Sequence, residues 1–141
     1  MQYAFGRKLK RKWREIMEIK ASELRVGNLV FLCNDIVSIE GIDSHENIKV
    51  CGYYPLAKLQ PIPISEEILL NFKAKFKKNI PFFDIHMPRN IGYISINPNN
   101  NMIWLRHHTT RASLNPGSIH YLHQLQNLYF ALTGEELEVN P

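Results

Sequence analysis

Ser118-Ile119-His120-Tyr121-Leu122-His123-Gln124-Leu125-Gln126-Asn127-Leu128-Tyr129-Phe130-Ala131-Leu132-Thr133-Gly134 reads as one helix with both ends marked. The Ser118 hydroxyl can accept a hydrogen bond from an orphan N–H of the first turn, which makes it the expected N-cap. Gly134 can end the helix, because glycine takes the left-handed conformation after the last turn without steric cost. Between them Ile119, Leu122, Leu125, Leu128, Tyr129 and Leu132 recur at intervals of three and four and form one apolar stripe. Leu137 is placed to fold back onto the last turn. Gln124 and Gln126 fall off the stripe. A stripe of this width needs a surface to cover, so the rest of the chain is expected to supply a sheet.

Working back from the helix, Ile91–Asn97 and Met102–His107 read as two strands joined by Pro98-Asn99-Asn100-Asn101, whose composition suits a hairpin turn. Alternation sets Tyr93 and Ser95 against Ile94 and Ile96. A further strand is expected over Ile80–His86, and residues 108–117 read as a loop delivering the chain to the helix. Upstream, Ser65 followed by Glu66 and Glu67 marks a helix start, with Ile68, Leu69, Phe72 and Phe76 as its apolar side. Lys73, Lys75, Lys77 and Lys78 read as a complement to the negative end of that helix dipole. Before the break at Pro55, Pro61 and Pro63, three short strands are expected over 29–33, 36–40 and 48–54, with Asn34-Asp35 as a turn and Gly41 as a strand end. The order is α+β: a small curled antiparallel sheet that admits an SH3-like barrel, a helix, a β-hairpin region and a C-terminal helix. Residues 17–141 read as a single α+β domain.

An apolar share of 45% with 11% aromatics suffices for a core. No run approaches the about 20 apolar residues that a membrane helix needs. Cys33 and Cys51 lie in strand-like apolar surroundings and read as buried reduced thiols, which fits a cytoplasmic location. The net charge of +4 is unevenly placed. Residues 1–16 carry Arg7, Lys8, Lys10, Arg11, Lys12 and Arg14 against Glu15, a net +5. The remainder holds eleven Lys/Arg and twelve Asp/Glu, a net −1, so it has no general excess of positive charge to attract phosphate. Three readings of the leader stand: translation begins at Met17 and residues 1–16 are an upstream-start artefact; they form a basic amphipathic helix with Phe5, Leu9, Trp13 and Ile16 on one side; or they are a solvated, disordered tail.

Pro61-Ile62-Pro63-Ile64-Ser65-Glu66-Glu67-Ile68-Leu69-Leu70 and His123-Gln124-Leu125-Gln126-Asn127-Leu128-Tyr129-Phe130-Ala131-Leu132-Thr133-Gly134-Glu135-Glu136-Leu137 resemble recurring segments of short proteins of Bacteroidetes genomes, often found near prophages and mobile elements. Ala21-Ser22-Glu23-Leu24-Arg25-Val26-Gly27-Asn28 is similar to the usual N-terminus of that family, which implies a start near Met17. The resemblance implies association with a phage or mobile element and brings no activity, so no site residue is carried over from it.

Six histidines raise a metal question. His120 and His123 can share a helix face, and His86, His107 and His108 lie elsewhere. Zinc needs three or four converging ligands, and adjacent His107 and His108 on a strand would diverge. No ligand-spaced cysteine or carboxylate joins them, so no metal is expected. Motifs for a nucleophile, a phosphate loop, a zinc protease or a dinucleotide site are absent from the sequence. His107 with Asp84, or Cys51 with His120, can be drawn as dyads, but neither spacing specifies one. No catalytic residue or cofactor is expected. Arg89, Arg106, His107, His108 and Arg111 can gather near the hairpin with Tyr93 and Trp104 for stacking; the competing expectation sets Trp104 in the core beneath the final helix. The function expected is a small binding or accessory protein, not an enzyme, acting through contacts with a protein partner. The alternative is a nucleic-acid-binding module using Arg7, Lys8, Lys10, Arg11, Lys12, Arg14, Arg106, His107 and Arg111.

Overall fold

The computed structural model describes residues 19–55, 58–71, 77–79, 82–107, 110–114 and 119–137. The chain divides into two units between Ile62 and Pro63. The leader, with Arg7, Lys8, Lys10, Arg11, Lys12 and Arg14, lies outside the described residues, as do Phe72, Phe76, Lys73, Lys75 and His108.

In the first unit a 3-10 turn, Ala21–Glu23, precedes β1 (Leu29–Leu32), β2 (Asp35–Ile42), β3 (Ile48–Val50) and β4 (Leu59–Gln60). All pairings are antiparallel, in the order β3-β2-β1-β4, and the sheet curls into a half-barrel. Strand alternation turns Val30, Leu32, Ile39 and Val50 inward, where Leu24 joins them in the core. Gly41 does not end β2. It sits at a bulge where the register shifts between Ile39 and Gly41, and such an extra residue bends a strand and increases its twist. Asn28 is fully buried, and its Oδ1 accepts a bond from the Arg25 N–H at 2.7 Å. The Asp43–Asn47 loop is held by the Asp43 carboxylate, which accepts bonds from the N–H groups of His45 and Asn47.

Cys33 and Cys51 are exposed, not buried. Each sits in a tight turn with positive φ, 59° and 50°, beyond the end of the strand in which it was expected. The strand-like neighbours misled here: β1 ends at Leu32 and β3 at Val50, because the chain reverses at the cysteines.

The second unit begins with α1 (Glu66–Asn71), where the Ser65 Oγ accepts the Ile68 N–H at 3.2 Å, as its capping position predicts. Five strands follow: β5 (Lys77–Asn79), β6 (Phe82–Met87), β7 (Gly92–Asn97), β8 (Met102–His107) and β9 (Thr110–Leu114). They form an antiparallel meander in chain order. Thr110–Leu114 is thus a strand and not part of a loop. Phe83, Ile85, Ile94, Ile96 and Ile103 are buried and share one face by register. The expected β7–β8 hairpin is present, with asparagine side chains capping the turn: Asn97 Oδ1 accepts the Asn99 N–H and Asn100 Oδ1 the Met102 N–H. The β6–β7 reversal uses Arg89 and Asn90 at φ 57° and 58°, the positive pair that a type I′ turn requires. Gly92 follows at φ 124°, and a Cβ there would stand 2.1 Å from the Arg106 carbonyl oxygen. Only glycine lets β7 and β8 approach this closely.

The final helix, α2, spans Leu122–Thr133. Its N-cap is Tyr121 and not Ser118; Ser118 lies outside the described residues. The side chain that satisfies the entry is Gln124, whose Oε1 accepts the His120 N–H at 2.8 Å and the Tyr121 N–H at 3.1 Å. Ile64 N–H to His120 O at 2.9 Å, with a bridge between Pro63 and Tyr121, fixes the same entry against the segment before α1. Gly134 ends α2 at φ 73°, donating to Phe130 O, and Leu137 is buried, as the sequence predicts. The buried side is Leu122, His123, Leu125, Gln126, Tyr129 and Thr133. It is rotated from the expected stripe: at about 100° per residue, Gln126 stands about 40° from Leu122 and Leu128 about 120° away on the other side. Leu128 is accordingly only half-buried, and Gln126 is buried despite its polarity.

Candidate functional site

The second sheet brings its chemistry-bearing residues to two places. The first is the face opposite Ile94 and Ile96. Register sets His86, Tyr93, Arg106 and Arg111 in one row across β6 to β9, and Asp84, Ser95 and Trp104 in the next. Exposed His86 stacks on Tyr93 at 5.3 Å between ring centroids. Ser95 Oγ donates to Asp84 Oδ1 at 2.6 Å, and both residues are buried. The Arg106 guanidinium lies over the Phe82 ring at 5.2 Å, so a cation–π contact holds it down, and its buried Nε has no hydrogen-bond partner. Trp104 is half-buried on this face, in register with Ser95, and not beneath the final helix with Ile103. The alternation that buries Ile103 necessarily turns Trp104 the other way.

The second place is a recess of about 280 Å³ at the end of the sheet where α2 finishes. Met87, Ile91, Leu105, Ala112 and Leu132 line it, with Arg106 and His107 alongside. Its position follows from local structure. The type I′ turn after β6 projects Arg89 toward the end of α2, where Arg89 Nη2 donates to the Thr133 carbonyl and Nη1 to Glu135 Oε1 at 3.2 Å. A cation at the negative end of a helix dipole is favourable. This clamp fixes the last turn of α2 beside β6 and β7. Over β8 and β9 the wall is low because Ala112 is small, and the apolar surface of Leu105 and Leu132 stays half-exposed.

The fold separates the candidate residues. Arg106 and Arg111 come together in register, although the Arg111 side chain lies outside what is described. His107, exposed, belongs to the opposite face with Leu105 and pairs with Thr110. Asp84 and His107 therefore lie on opposite faces, which overturns the dyad drawn between them. Arg89 is committed to α2 and not to the hairpin cluster. His120 is exposed while His123 is 1% exposed, so the two do not present a shared ligand face. The His123 ring lies parallel to Tyr121 at 5.9 Å, its nitrogens have no hydrogen-bond partner, and burial lowers its pKa to about 4. Among the described residues no three His, Cys, Asp or Glu side chains gather where they could hold a metal ion. No helix among them is long and apolar enough to cross a membrane. The recess itself was not predicted. Its walls come from β6, the β6–β7 turn, β8, β9 and α2, and the one sequence signal is Leu132, an apolar residue at the margin of the stripe. Comparison of the chain with family models, curated proteins and solved structures gives no match.

Proposed function

We propose that this chain is a binding or accessory protein that engages a protein partner through the recess between the end of α2 and the β8–β9 hairpin. The observation that carries the reading is the recess: about 280 Å³, with five of its seven lining residues apolar. Pockets for drug-sized ligands run from about 300 to 1,000 Å³. This one is smaller and open, a size that suits one large side chain of a partner. Anchor side chains seated in small apolar pockets dominate protein–protein interfaces. Enzyme sites instead gather convergent polar groups in a closed cleft. The phage or mobile-element setting is part of the proposal, and its support is the resemblance of the 61–70 and 123–137 segments alone. Exposed free thiols at Cys33 and Cys51 suit the reducing cytoplasm.

A second reading is favoured by one arrangement, the His86–Tyr93 stack beside the registered pair Arg106 and Arg111. Aromatics and cations on one sheet face can stack bases and hold phosphates. One titration separates the two. Protein labelled at its methyl groups and its aromatic rings is mixed with random short peptides and, separately, with an oligothymidylate. Shifts confined to Met87, Ile91, Leu105 and Leu132 with peptide support the first reading. Salt-sensitive shifts at Tyr93 and Trp104 with DNA, and none with peptide, would replace it by the second.

A further inference from the structure

The recess opens beside a sheet edge. Among the described residues β9 has a hydrogen-bonded neighbour on one side only, β8. Every second residue of an outer antiparallel strand turns its N–H and C=O away from the sheet, which leaves a template for one more strand. Ala112 lies midway along β9, is exposed, and lines the recess. It pairs with Leu105, which lines the recess as well. A strand added outside β9 would set the residue opposite Ala112 on this same face, because paired residues share a face. That side chain would meet no bulk at Ala112 and would reach Leu105 and Leu132. Its two neighbours would fall on the other face, at the level of Arg111 and Ser113 in β9. Arg111 places a positive charge in the edge strand itself, and it stands in register with Arg106.

We propose that β9 is a docking edge for an extended peptide segment of a protein partner, which adds as a sixth strand with a bulky apolar residue entering the recess and acidic residues on either side of it. The proposal deepens the recess reading and rests on it. Backbone bonds supply affinity in this mode, and pockets for alternate side chains supply selectivity. The acidic flanks answer the cation in the edge strand, and the apolar centre answers the recess.

The probe is a short synthetic peptide whose central leucine lies between two glutamates, its affinity read by fluorescence anisotropy on the full chain. Two N-methylated versions block alternate sets of backbone donors. One set points toward β9 in the added strand and the other away. Methylation of the inward set should weaken binding about tenfold or more, since it removes ladder bonds, while the outward set should change it little. Ala112→Trp, which fills the recess at an exposed position, should abolish binding and leave the thermal melt intact. Amide exchange on β9 should slow when the peptide is added. Equal binding by both methylated peptides, with Ala112→Trp still blocking it, would overturn the strand addition while the recess reading survives. Binding that is indifferent to Ala112→Trp would overturn both. A concentration-dependent dimer that the peptide cannot displace would assign the edge to a second copy of this chain and overturn the proposal.

Discussion

His123 makes the stability of the second unit depend on mild acid. The ring is 1% exposed on α2, stacked on Tyr121, with neither nitrogen bonded. Desolvation opposes the charged form and lowers its pKa from 6.5 to about 4. In the unfolded chain the group titrates near its ordinary value. Above pH 6.5 both states hold the neutral ring and this group adds no slope. Below it the unfolded state takes up a proton that the folded state refuses until about pH 4, so stability falls across that window. The slope is about 1.4 kcal/mol per pH unit, and the loss over the window is about 3 kcal/mol. That is a large share of the roughly 5–15 kcal/mol expected of a domain. The assay is urea unfolding across the window and at a neutral reference, for the natural chain and for His123→Phe, which keeps an aromatic ring against Tyr121. Carboxylates that titrate in the same range affect both proteins alike, so the difference between the two curves isolates His123. The stability gap should shift by about 2–3 kcal/mol in favour of His123→Phe as pH falls through the window. Parallel curves would show that the buried His123 ring does not resist protonation in the folded state.

Other predictions follow from the same structure. Leu125→Ala, at a fully buried position, should cost about 2–5 kcal/mol by chemical denaturation. Gln124→Ala removes the acceptor for two N–H groups at the entry of α2 and should cost about 1–2 kcal/mol, not the negligible amount its off-stripe position suggests. Gly92→Ala drives a methyl group into the Arg106 carbonyl and should destabilise by about 3 kcal/mol or more in the same measurement, with exchange at the β7–β8 pairs speeding up. Cys33 and Cys51, both exposed, should react with a thiol reagent without denaturant, and two titrated thiols in the native protein check it.

What was legible in the sequence was what local chemistry decides. Ser65 capping α1, Gly134 ending α2 and the asparagine turn between β7 and β8 all depend on a few adjacent residues, and each is found as read. The curled first sheet and the α+β order followed from strand length and turn spacing. β9 escaped because Thr-Arg-Ala-Ser-Leu holds no β-branched or aromatic run, and an edge strand needs none. Apolar periodicity alone centres the stripe of α2 too far toward Leu128: Ile119, Leu122, Leu125 and Tyr129 are buried as expected, but Leu128 is half-buried and Gln126 is buried. The packing that buries Gln126 and His123 is tertiary and overrides that pattern. Beyond Leu132 the recess leaves no mark in the sequence, because Met87, Leu105 and Leu132 are far apart in the chain and meet only when the meander and α2 are in place.

The most direct measurement is the paired melt and peptide affinity of Leu132→Glu. Leu132 is half-buried and lines the recess, so a carboxylate there places charge at the mouth without hollowing the core. The expected result is a stability change of about 1 kcal/mol and a loss of at least about tenfold in affinity for the leucine-centred peptide. Unchanged affinity in a folded Leu132→Glu would show that the recess is not where this protein meets its partner.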